Sequence, residues 1–217
     1  MAALLLREYL KVDFNPMHVR MTALRRQSGF TIIETLVVVG LIGVIAAIAV
    51  PLFGNAIANF RLSGDARSVS NAAAVAKMRA ASNFSRVRLY VELDTKQHHL
   101  QTWDKTALHW TTEGGNTALS TGVSFSYGVV TTAPPNTQTT IGQAPACTDD
   151  AGVAIGNTAC IMFNSRGVPI DSLYAPTGSD ALYLTDGAAV YALTIAATGM
   201  LRTWRALPVA SPVWVPQ

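Results

Sequence analysis

Between Glu34 and Arg61 the chain carries no charged side chain, and residues 35–53 inside that gap are almost wholly apolar. A helix rises about 1.5 Å per residue, so this run reaches roughly 28 Å, close to the hydrocarbon thickness of a bilayer. A single unpaired span in lipid satisfies its backbone only as a helix. The stretch therefore reads as a membrane-length helix that the rest of the chain follows. Thr31-Ile32-Ile33-Glu34 at its entrance has the form of a capping box, with Thr31 accepting from a free amide and Glu34 reaching back. A carboxylate at the centre of a bilayer costs about 2.5–3.5 kcal/mol, and less at this edge position. Intramembrane ionisable groups are functional by default, so Glu34 reads as a group kept for a partner as well as a cap.

The charge balance locates the basic excess. Net charge is +3 over 217 residues. Residues 1–29 hold Arg7, Lys11, Arg20, Arg25 and Arg26 against Glu8 and Asp13, which leaves equal numbers of basic and acidic side chains in residues 30–217. Global charge thus gives no case for a nucleic-acid partner, and any such case must rest on a local patch. Lys and Arg flanking a span stay cytoplasmic, which places residues 1–29 inside and everything after the helix outside.

The order Arg25-Arg26-Gln27-Ser28-Gly29-Phe30-Thr31-Ile32-Ile33-Glu34, running into the apolar segment, resembles the processing site and anchor helix of type IV pilin-like proteins. The resemblance implies cleavage by a prepilin peptidase between Gly29 and Phe30, N-methylation of Phe30, and an assembly role for Glu34. Pro51 and Gly54 sit where pilin helices loosen, and are expected to kink the helix. Gly40 and Gly43 permit close approach of other helices. The leader is long for this family. Met21 would leave a short basic leader of the usual kind, so residues 1–16 or 1–20 read as preceding the true start.

Past Pro51 the helix resumes. Leu62, Ala66, Val69, Ala73, Ala76, Ala80 and Phe84 recur at spacings of four and three, with Arg61, Asp65, Arg67, Lys77 and Arg79 between them, as on an amphipathic helix facing a sheet. From Arg86 the period becomes two, and residues 87–93 read as a half-buried strand. Short strands are expected at 100–103 and 107–111, with a break at Gly114-Gly115-Asn116 and a further strand at 123–127. Residues 131–158, rich in Thr, Pro, Gly, Asn and Ala, read as a long surface loop. Cys147 and Cys160 are the two cysteines. An oxidising compartment allows them to pair, closing a loop of about fifteen residues for roughly 3 kcal/mol. The alternative is two buried thiols.

The C-terminal half has a strand at 161–163, a turn at Asn164-Ser165-Arg166-Gly167-Val168-Pro169, a hairpin centred on Asp186-Gly187, and a turn at Thr198-Gly199 into a final strand. This order resembles the GspH/FimT family, with its RGxP-like turn and "tGR"-type strand. The resemblance implies an α+β, pilin-like fold: a long N-terminal helix, transmembrane in its first half, packed on a small antiparallel β-rich domain. The expected divisions are a leader at 1–29, a transmembrane and assembly helix at 30–54, its amphipathic continuation at 55–85, and a periplasmic β-domain at 86–217.

Expected partners are other pilins or pseudopilins, the prepilin peptidase and inner-membrane lipid. The implied function is a non-catalytic minor pilin or pseudopilin that helps initiate or tip a type II secretion pseudopilus or a type IV pilus. The implied location is the bacterial inner membrane, single-pass, and then the filament. Some members of this family bind DNA through a C-terminal Gly-Arg-x-Arg. Here Met200 replaces the first arginine, leaving Arg202 and Arg205 with Trp204 between them as candidate contacts. Solvent-facing arginines on a strand are the favoured reading there, given the neutral mature charge.

No cofactor or catalytic cluster is expected. The sequence has no Walker loop, no Gly-x-Ser-x-Gly and no Cys-x-x-Cys. His98 and His99 would face opposite sides of a strand, which argues against a shared metal. A last alternative is an exported soluble protein cleaved at Ala47-Ile48-Ala49.

Overall fold

The computed structural model describes residues 29–217. They begin with one 51-residue helix, α1 (Ile32–Ser82), whose helical assignment runs unbroken through Pro51 and Gly54. Compact units divide inside it, the first ending at Ala47 and the second running Ile48–Gln217. The proposed leader and its alternative starts lie outside the described residues.

In the second unit, six of the seven apolar helix positions expected to face a sheet are buried: Leu62, Ala66, Val69, Ala73, Ala76 and Ala80. Phe84 is the exception, 73% exposed. The helix ends two residues before it. Phe84 takes a left-handed conformation (φ 49°), and the Ser85 amide bonds back to the Ala80 carbonyl at 3.2 Å. That is a Schellman-type stop, and it turns Phe84 away from the face its spacing implied.

Nine strands follow in two antiparallel sheets. The first has the order β3 (His109–Ala118), β2 (Gln97–Asp104), β1 (Val87–Glu92), β4 (Thr158–Phe163), β5 (Pro169–Ile170). The second runs β6 (Ala181–Thr185), β7 (Val190–Ile195), β8 (Leu201–Ala206), β9 (Val215–Pro216). Val87, Leu89 and Val91 alternate inward from β1, Ile161 and Phe163 from β4, and Leu182, Leu184, Leu193 and Ile195 from the second sheet. Together with the helix stripe they form one core. On the helix side of that core the contacts are mostly small (Ala73, Ala76, Ala80), and on the strand side they are large. Behind the second sheet, Val130, Tyr183, Trp204 and Trp214 make a separate cluster.

Two strand expectations are corrected. Gly114-Gly115-Asn116 does not break the chain. It lies within β3, where the pairing jumps from Leu100↔Glu113 to His98↔Thr117. The extra β3 residues form a bulge that Gly114 enables with φ +74°. Residues 123–127 contribute only a single bridge, Ser124↔Thr185, rather than a strand.

Residues 131–157 are irregular, as expected, but they are not simply surface. Gln143 covers the edge of β6 with its side-chain amide, donating to Tyr183 O at 3.0 Å and accepting from Tyr183 N at 2.9 Å. The carboxamide thereby substitutes for a neighbouring strand. Gln138 Oε1 accepts from the Tyr183 hydroxyl at 2.7 Å. Burial raises the Tyr183 pKa above that of an ordinary tyrosine, with Tyr127 adding to the effect, so the hydroxyl remains a donor.

Candidate functional site

The entrance to α1 is assembled by Thr31. Its hydroxyl accepts from the Glu34 amide at 3.2 Å, and its carbonyl accepts from the Thr35 amide at 3.1 Å. Thr31 is therefore an N-cap, and this is the expected half of the capping box. The reciprocal half is not made. Among the described residues the Glu34 carboxylate has no hydrogen-bond or ion-pair partner. Around it Phe30 is 84% and Ile32 83% exposed. The segment Ile32–Val50 is long and apolar enough to cross a membrane, and none of it is buried. Capping through its backbone amide leaves Glu34 at the helix start, beside Gly29 and Phe30. The Arg25-Arg26 pair lies outside the described residues.

Cys147 and Cys160 form a disulfide with their Cα atoms 4.9 Å apart. It lies on the outer face of the first sheet, since Cys160 pairs with Tyr90, which points away from the core. Sequence reasoning missed what the bridge holds down. Arg88, on that face of β1, is only 2% exposed. Its Nε donates to Gln101 Oε1 at 2.7 Å, and a terminal nitrogen donates to Thr148 O at 2.6 Å, one residue beyond Cys147. The guanidinium stacks 4.0 Å from the Trp110 ring centroid. Burial pulls the Arg88 pKa down to about 10, so it stays charged at neutral pH.

Beside it Arg86 is held between Trp103 (4.4 Å) and Tyr174 (4.0 Å). The spacing Arg86-x-Arg88-x-Tyr90 was the available signal, since alternate strand residues share a face. His99 stacks on Tyr90 at 4.8 Å on this outer face, whereas His98 lies across from Val91 on the inner one. The two rings face opposite sides, as expected. Among the described residues no three His, Cys, Asp or Glu side chains converge as metal ligands would.

The candidate nucleic-acid contacts are divided: Arg202 and Trp204 share one face of β8 and line one cavity, while Arg205 lies on the other face. Trp204 is 8% exposed, and its indole N–H donates to Thr194 Oγ1 at 2.9 Å. Little of the ring is left exposed for a base to stack on. Arg202 and Arg205 are an odd number of residues apart in β8, so they project from opposite faces of the sheet. Both are exposed.

The two turns of the GspH/FimT resemblance do meet. Lys77 on α1 donates to Gly199 O at 3.0 Å. Its aliphatic stem crosses Gly167 so closely that a Cβ there would lie 3.1 Å from it. A Cβ at Gly199 would lie 2.5 Å from Gly167 O. Both glycines have positive φ, 73° and 76°. Sequence spacing marked the turns but not the helix residue that joins them.

Residues 24–50 match the family model described as the prokaryotic N-terminal methylation motif. No curated protein matches the chain. Two solved structures of the minor pseudopilin EpsH from the type II secretion system of Vibrio cholerae are similar. One is 13% identical with a TM-score of 0.41, covering 72% of this chain and 97% of that one. The other is 10% identical with a TM-score of 0.35, covering 72% and 96%. The chain thus carries the N-methylation motif of type IV pilin-like proteins on an apolar helix, followed by an antiparallel β-domain.

Proposed function

We propose that the chain is a non-catalytic minor pilin or pseudopilin. A prepilin peptidase cuts between Gly29 and Phe30, Phe30 is N-methylated, and the first half of α1 holds the subunit in the inner membrane with its β-domain on the periplasmic side. The subunit then leaves the bilayer and joins a filament, as an initiating or tip component of a type II secretion pseudopilus or a type IV pilus. The observation that carries this reading is the coincidence, within residues 24–50, of the methylation motif with an exposed, membrane-length apolar helix capped by Thr31. The cap spares the Glu34 carboxylate, which then pairs with the terminal amine of a neighbouring subunit. In lipid such a pair is worth more than at a wet surface, because neither group has water to return to.

Co-expression with a prepilin peptidase tests the proposal. The wild-type chain should shorten, and Gly29→Val should not. Glu34→Leu should be cleaved normally but fail to enter sheared filaments. Equal processing of Gly29→Val and wild type would refute the cleavage assignment, and normal incorporation of Glu34→Leu would refute the pairing role.

A further inference from the structure

Beside the buried stripe of α1 runs a second apolar stripe, Ala74, Met78 and Ala81, at helical spacing, with Ala74 half-buried and the other two exposed. With Met200 and Leu201 on the opposite wall it lines a groove of about 510 Å³ in the second unit. Met78 is 63% and Met200 47% exposed. Two small residues two turns apart leave a depression into which the side-chain ridge of another helix fits. Methionines adapt to the shape of what enters.

Charge identifies the occupant. The groove is lined by Lys77 and Arg166 and by no carboxylate. The Lys77 ammonium is half-buried and has three donors. Its one bond among the described residues goes to Gly199 O, and it has no acidic partner there. Arg166 stands exposed at the rim. A partly desolvated ammonium in an apolar groove is offset best by a carboxylate brought in with the ligand.

We propose that this groove docks an amphipathic helix of another protein, one presenting carboxylates beside its aliphatic face. The inference rests on the groove alone and is independent of the processing of the N-terminus.

The test uses the full chain in nanodiscs of zwitterionic lipid and a fluorescein-labelled helical peptide with leucines along one face and glutamates flanking them. Control peptides replace every glutamate by glutamine or by lysine. Anisotropy should show the glutamate peptide binding, the glutamine peptide binding about tenfold more weakly, and the lysine peptide not binding. Met200→Glu should abolish binding. Arg166→Glu, at an exposed position that leaves the melting curve unchanged, should shrink the preference for the glutamate peptide over the lysine peptide, because the new carboxylate offsets Lys77. Equal affinity for all three peptides would overturn the proposal. So would a preference for the glutamate peptide undiminished by Arg166→Glu, or a glutamate-peptide signal no greater than with empty discs.

Discussion

A methyl group at Gly199 has nowhere to go: Gly167 O lies 2.5 Å from where it would sit, and the backbone there is left-handed. Gly199→Ala should therefore cost about 2 kcal/mol or more, read as a lower urea midpoint at unchanged slope. That Gly167 and Gly199 mark turns was legible from their neighbours. That both close on Lys77 was not, because the contact joins residues 122 positions apart. Asp180 gives a second residue-scale prediction. Burial, assisted by the charge of Asp171, raises its pKa from 3.8 to about 6. The fold thus favours the protonated carboxyl. Its contribution to stability is complete below about pH 4 and is lost as the pH rises through about 6. Asp180→Asn should raise the thermal midpoint at pH 7.5 and change it little at pH 4, and the reverse pattern would contradict the assignment.

At the scale of elements, the amphipathic half of α1 was readable because its period is carried by the residues themselves. Six buried positions agree with the spacing, and Phe84 fails only because a left-handed stop intervenes. Leu62→Ala, at the start of that stripe, should cost about 2–5 kcal/mol in chemical denaturation. The outer surface of the first sheet was much less legible. Arg88 lies in an alternating strand and reads as solvent-facing. It is buried because the disulfide-tethered segment folds over it and supplies the Thr148 carbonyl. Irregular segments satisfy their polar groups through individual side chains such as Gln143, and no periodicity announces those bonds. Replacing Cys147 and Cys160 together by serine should cost about 3 kcal/mol. It should also make Trp110 fluorescence more accessible to iodide, since the covering segment is no longer tethered. Unchanged quenching would show that the cover holds without the bridge.

For the molecule as a whole, the apolar run beyond Glu34 was the most legible feature, because a membrane-length helix with one carboxylate at its entrance admits few uses. The antiparallel β-domain was legible in its C-terminal hairpin, where Asp186-Gly187 sits between two apolar strands, and less so around the Gly114 bulge. The nucleic-acid candidates in β8 were plausible as a string of residues, but strand alternation separates Arg202 from Arg205 and Trp204 is spent in the core. The central claim is that this chain is matured at its N-terminus for assembly. It is tested most directly by the intact mass of the membrane-extracted protein with N-terminal peptide mapping. The account predicts a chain that begins at Phe30 with one added methyl group, whereas a chain that begins at Val50 would mean an exported soluble protein and would contradict it.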